Sequence, residues 1–132
     1  MKEVLAYLKE SGTFYLATND GARPRVRPFG AVCEFERKLY IVTNNQKPVY
    51  KQMTANPKIE ISSMNKDTWI RLEAEVVHDT RREARVAMLE DKDNAMLGNM
   101  YNADDGVMVV FYLKNATATI SSFTDEPKVI TF

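Results

Sequence analysis

A mainly β fold, an antiparallel barrel with a few flanking helices, follows from three features of this sequence. Short β-rich runs are joined by hairpin signals, helical periodicity is confined to brief segments, and 132 residues suit one core and no second. The chain is therefore expected to be a single domain over 1–132.

The elements follow in order. "KEVLAYLKES" places Val4, Leu5 and Leu8 at helical spacing and is stopped by Gly12. "TFYLATN" is a strand closed by the turn "NDG", and "RPRVRPF" answers it as the second strand of a hairpin. "AVCEF" and "LYIVT" flank the turn "ERK". "NNQKPVYKQMTANP" predicts a helix capped by Asn44 or Asn45, with Pro48 in its first turn and "NP" at its end. "KIEISSM" and "TWIRLEAEVVHD" are strands. In the second, Ile70, Leu72, Ala74 and Val76 share one face, and Trp69, Arg71, Glu73 and Glu75 the other. "TRREARVAMLEDKDNAML" is helical, with Val86, Met88 and Leu89 as its apolar stripe. "VMVVFYL" and "ATATISSF" complete the set as two strands around a "KN" turn. The all-apolar "VMVVFYL" predicts cover on both faces, by the core and by a second subunit.

Composition excludes several functions. Eighteen basic residues balance eighteen acidic ones, so no overall field favours nucleic acid or an acidic membrane. Cys33 is the single cysteine and His78 the single histidine. An intrachain disulfide is thus impossible, and no spacing of metal ligands is recognisable. His78, in "EVVHDT", reads as a surface residue at the end of a strand. With no signal-like apolar segment and no run long enough to span a bilayer, the expected location is cytoplasmic.

Two cationic features stand out in this neutral chain. Arg23, Arg25 and Arg27 alternate along one strand, and so share one face. Pro24 and Pro28 between them remove backbone donors. The spacing leaves two readings open: a solvated edge, or a cradle for an anion. The second feature is the helix start after Thr43, where free N–H groups and the helix dipole favour anions and Lys47 and Lys51 share a face. If the two segments are neighbours in the sheet, one groove takes a phosphate at one end and a flat polar ring along the strand. Trp69 with Arg71 on an outer strand face suggests an interface or a stacking platform. Met88, Met96, Met100 and Tyr101 read as packing residues.

In this order, "GTFYLATNDGARPRVRPFGAV", "KLYIVTNNQKPVYKQMTANPKIEI" and "TWIRLEAEVV" resemble the pyridoxamine 5′-phosphate oxidase-like, FMN-binding split barrels, over nearly the whole chain. The resemblance implies a six-stranded split barrel that forms a homodimer, with one FMN at each end of the dimer interface. It puts the family's FMN arginine on Arg27, ring contacts on Pro28, Phe29 and Gly30, and strand-end contacts on Val42, Thr43 and Asn44. Arg25 offsets cofactor charge beside it, Lys47 and Lys51 take the phosphate, and Trp69 lines the site. The departures matter too. The oxidases' Arg-Lys pair in the first helical turn is here Pro48 and Val49. Their substrate-phosphate lysine falls on Val32, and no histidine follows His78. The implied function is a flavin oxidoreductase acting on a small molecule other than pyridoxamine phosphate, with no side chain assigned as catalytic. The alternatives are a non-catalytic flavin-binding or storage protein, a deazaflavin- or haem-binding relative, or a barrel for single-stranded nucleic acid.

Overall fold

The computed structural model describes residues 1–132. Eight antiparallel strands form one sheet: β1 (Phe14–Asn19), β2 (Pro24–Phe29), β3 (Val32–Phe35), β4 (Lys38–Asn44), β5 (Lys58–Asn65), β6 (Thr68–Asp79), β7 (Met108–Ser122) and β8 (Lys128–Thr131). Three α-helices flank it, α1 (Lys2–Ser11), α2 (Pro48–Ala55) and α3 (Arg82–Glu90), and a 3₁₀ segment, Lys92–Asn99, follows α3. No helix is long and apolar enough to cross a membrane.

The strand order β2–β1–β5–β6–β7–β4–β3 explains why the sheet curls. β2 and β3 lie at opposite ends of that path, yet only Gly30 and Ala31 separate them in the chain. Six spacings of about 4.8 Å would part the edges of a flat sheet by roughly 29 Å. Two linking residues span at most about 11 Å. The sheet must therefore close on itself, and its two edges meet without pairing. That gap is the split of a split barrel.

Alternation along the strands fills the interior. Phe14 and Leu16 of β1, Leu39 and Ile41 of β4, Ile59 and Ile61 of β5, and Ile70 and Leu72 of β6 all point inward. Val4 and Leu8 of α1 and Val49 and Met53 of α2 pack on the same core. Each such side chain contributes about 1.5–3 kcal/mol on burial. A second cluster lies outside the barrel. There Cys33, Tyr40, Val42, Met108 and Val110 meet Ala84 and Met88 of α3 and Leu97 of the 3₁₀ segment.

Several expectations change. "VMVVFYL" and "ATATISSF" are one 15-residue strand, β7. Asn115 adopts φ 50° there, but the result is a bulge opposite Ala74, between the Glu73–Thr117 and Glu75–Lys114 pairs, instead of a turn. Asparagine tolerates the left-handed conformation that either device uses, and both halves pair with the same partner, β6. The outer face of "VMVVFYL" is covered by α3 and the 3₁₀ segment of the same chain. Strand β8, absent from the sequence reading, pairs with the far half of β7. The apolar stripe of α3 is Ala84 and Met88, while Val86 and Leu89 are only half-buried. His78 is half-buried too. Its ring stacks on Phe111 at 5.1 Å and meets Tyr50 edge-on at 5.7 Å, and burial pushes its pKa down.

Cys33 is 1% exposed, and burial, reinforced by the nearby Asp91, pushes its thiol up to about 12. A thiol this weakly acidic and this inaccessible is inert. In native protein, Ellman's reagent is expected to find no reactive thiol, and in denaturant one per chain. Rapid reaction of the folded protein would contradict this packing.

Candidate functional site

The split between the barrel edges holds a cavity of about 220 Å³. One wall is the end of β2, from Arg27 to Phe29, with the linking residues Gly30 and Ala31, and the opposite wall is Val42 and Thr43 of β4 with the start of α2. The 3₁₀ segment and the turn after it close the third side, with Leu97, Met100 and Tyr101. A wider groove of about 650 Å³ continues past Arg27, Pro28 and Lys47 to Asp20, Arg25 and Gln52. Together they form one channel with an apolar inner end and a cationic outer end.

Arg27 stands where the two meet. It sits on the edge strand opposite Leu16 of β1 and donates to the Leu16 carbonyl at 3.2 Å, to Thr18 Oγ1 at 2.8 Å and to Gln52 Oε1. All three acceptors are neutral, and no carboxylate pairs with it. Partial burial, then the neighbouring Arg25 cation, pull its pKa below the usual arginine value. Guanidinium remains charged regardless. A half-buried cation without a counter-ion, with its Nε–H free, attracts an anion.

Arg25 behaves differently. Its Nε donates to Asp20 Oδ2 at 2.7 Å, so its charge is already matched. Asp20 also accepts from the Arg23 and Ala22 amides, and these contacts hold its carboxyl down to about 2. Arg23 is exposed at the turn.

Helix α2 begins at Pro48, with Lys47 as its N-cap and no side-chain cap. This corrects the expectation that Asn44 or Asn45 caps it. Asn44 Oδ1 accepts from the Gln46 amide at 2.9 Å while its Nδ2 donates to Tyr101, and Asn45 donates to the Gly106 carbonyl. In the first turn of α2 Pro48 has no N–H and the Tyr50 amide is taken by the Lys47 carbonyl at 3.1 Å, which leaves the Val49 amide as the free backbone donor beside Lys47.

The predicted residues separate into groups. Arg27, Pro28, Phe29, Gly30, Val42, Thr43 and Lys47 line the inner cavity, and Arg25 lines the outer groove. Asn44 reaches the site through Tyr101. Lys51 is exposed and lines neither space: Lys47 is the extended N-cap residue just outside α2, so the four-residue spacing does not set the two ammonium groups on one helical face. Trp69 lies on the outer face of the sheet, 5.1 Å from the Phe123 ring, in a shallow depression with Arg71 and Glu73. Nor are β2 and β4 paired neighbours. They face each other across the split, so a groove forms where paired strands would leave none.

Sequence reasoning missed Gln52 and Thr18, which fix Arg27, and the 3₁₀ wall with Met96, Met100 and Tyr101. The available signal was a second apolar cluster, "AMLGNMY", straight after the helix; read alone it looked like packing. Met96 and Met100 are in fact 65% and 61% exposed.

A profile described as pyridoxamine 5′-phosphate oxidase matches residues 1–121. The structure is similar to a NimC/NimA family protein from Clostridium acetobutylicum: 53% identity, TM-score 0.96, covering 100% of this chain and 92% of that one. It also shares the fold of a pyridoxamine 5′-phosphate oxidase-related, FMN binding protein from Nostoc punctiforme, at 14% identity and TM-score 0.67, covering 99% and 96% of the two chains. A heme binding protein from Mycobacterium smegmatis shares the fold as well, at 14% identity and TM-score 0.70, covering 92% of this chain and 53% of that one. No curated protein matches the chain.

Proposed function

The chain belongs to the pyridoxamine 5′-phosphate oxidase family, alongside the NimC/NimA proteins, and from that premise we propose that it is an FMN-binding flavoprotein that transfers a hydride between flavin and a small molecule. One observation carries the cofactor reading: Arg27, a half-buried cation with only neutral partners, stands at the junction of a slot and a cationic groove. The donor set fits FMN. Arg27, Lys47 and the uncapped start of α2 would hold the phosphate, with Arg25 adding positive potential. Pro28, Phe29, Gly30, Val42 and Thr43 would line the ring.

When bound, flavin supplies the hydride chemistry. The protein's part is to bind, orient and shield. Gly30 and Pro28 keep the β2 wall thin. Leu97, Phe29 and Val42, all buried, limit water. Val32, buried at the position of the oxidases' phosphate lysine, favours a substrate other than pyridoxamine phosphate. A haem reading is less well supported, because the single histidine lies in the Tyr50–Phe111 aromatic cluster and does not line the cavity.

The proposed unit is a homodimer of single-domain, cytoplasmic chains. Exposed Tyr15, Val26, Met64, Phe123 and Val129 lie on outer strand faces or their margins, where a second copy would cover them, and where Trp69 would approach a flavin only across the interface. Sedimentation of the purified protein tests this.

Purified protein is expected to be yellow, or to become so on adding FMN, and to retain the flavin on desalting. A colourless protein that quenches no FMN fluorescence would remove the proposal. Turnover with NADH or NADPH and an electron acceptor separates an oxidoreductase from a storage protein, whose flavin would stay oxidised. The two lysines provide a sharper check: Lys47→Ala should weaken FMN binding by about 3- to 5-fold, the worth of a rim charge, and Lys51→Ala by less than twofold. Equal losses would return Lys51 to the site.

A further inference from the structure

The hydrogen bond between Asn44 and Tyr101 has a fixed direction. Asn44 Oδ1 accepts from the Gln46 amide at 2.9 Å, so the Nδ2 end of the amide must face Tyr101, 2.9 Å away. The reverse orientation would set Nδ2–H against the Gln46 N–H, donor against donor. The phenol oxygen is therefore the acceptor of this bond. Its own proton has no acceptor anywhere in the chain. Tyr101 lines the cavity, and its backbone is held by the Leu97 carbonyl at 2.8 Å, with Asp105 fixing the next amide at 3.0 Å. An O–H kept without a partner on a fixed frame is a donor held ready for a ligand.

We propose that Tyr101 donates a hydrogen bond to an oxygen or nitrogen acceptor on a planar molecule bound in the split, and that Asn44 is the positioning residue that aims this proton at the ligand. The exposed thioethers of Met96 and Met100 at the rim suit the same class of ligand, since sulfur packs well against aromatic rings. The acceptor belongs either to the ring of the cofactor or to a small conjugated carbonyl compound beside it. The inference deepens the flavin reading, on which its first probe rests.

The test uses full-length protein with three probes: FMN, 1,4-naphthoquinone, and naphthalene, which has a similar planar frame but no oxygen. Wild-type protein should bind naphthoquinone more tightly than naphthalene. Tyr101→Phe should remove that preference, by about tenfold, one net hydrogen bond, while leaving naphthalene unchanged. Asn44→Asp should do the same although it keeps the phenol, because the carboxylate's second oxygen would take the Tyr101 proton. The uncharged quinone keeps the added charge of Asn44→Asp out of the comparison. A parallel tenfold loss of FMN affinity in Tyr101→Phe would place the acceptor on the flavin, and an FMN affinity unchanged in that variant would place it on the small molecule. The proposal is overturned if neither variant changes the naphthoquinone preference, if Tyr101→Phe alone does, or if wild-type protein shows no such preference and Tyr101→Phe binds FMN normally. Failure of wild-type protein to hold FMN would count against the flavin reading alone, since the naphthoquinone arm still decides the role of Tyr101.

Discussion

Arg27→Ala is expected to raise the dissociation constant for FMN by about 100-fold, or about 2.8 kcal/mol, with little change in thermal stability. The size follows from where the side chain sits. It is half-buried, so water and salt screen it weakly, and it has no carboxylate to share its charge with a ligand. Of its three protein acceptors Gln52 lines the open groove, Thr18 keeps its own bond to Gln52, and the space left on truncation opens to water from the groove. Riboflavin, which lacks the phosphate, should lose far less affinity than FMN. Arg27→Lys should recover only part, because one ammonium cannot serve three neutral acceptors and an anion together. Fluorescence titration of both flavins checks this. Equal losses for FMN and riboflavin would move Arg27 from the phosphate to the ring, and no loss for either would remove it from the site.

Asp79→Ala is expected to be the most damaging substitution for stability among the polar residues, at about 2–3 kcal/mol, or a fall in Tm of roughly 7–11 °C for a chain of this length. Asp79 is 7% exposed. It accepts from the fully buried Tyr40 hydroxyl at 2.7 Å and from Arg81 at 2.9 and 3.0 Å. Truncation strands the Tyr40 hydroxyl in the second core. Arg81 loses less, because its side chain is 45% exposed and still reaches Glu36 at 2.9 Å. Arg81, followed by the Tyr40 hydroxyl, holds the Asp79 carboxyl far below the ordinary carboxylate range. A carboxyl depressed in the folded state stabilises fully above its unfolded pKa, near 4, and that contribution is lost as pH falls below it. Wild-type protein should therefore lose part of its stability below about pH 4, and Asp79→Asn should lose less over that interval. Thermal melts at neutral and acid pH measure both effects. A neutral-pH Tm within 2 °C of wild type for Asp79→Ala would show that Tyr40 finds another partner.

Much of this site was legible because it depends on local pattern. Alternation in "RPRVRPF" announced a strand with arginines on one face, and Pro48 announced a helix start. The resemblance then assigned Arg27 to a cofactor. Trp69 and Lys51 could not be placed that way. Trp69 alternates outward as expected, but which face of the barrel is outermost depends on how the sheet closes. Lys51 is one turn from Lys47, yet a cavity wall covers only part of a helix. Tyr101 and its proton were hidden because they need three residues from two distant segments, Asn44, Gln46 and Tyr101, in one place.

The sequence by itself determined the strands, the hairpins, the helix start and the family, since these rest on side-chain alternation, turn chemistry and motif order within short stretches. Tertiary structure decided three other things: that β2 and β4 face each other across a cavity, that Arg27 is the half-buried arginine of its strand and has only neutral partners, and that β7 runs unbroken through Asn115. The physical reason is closure. A two-residue link between the ends of a seven-strand path forces the edges together, and only the closed sheet shows which charges are matched, which face is covered and where a planar molecule fits.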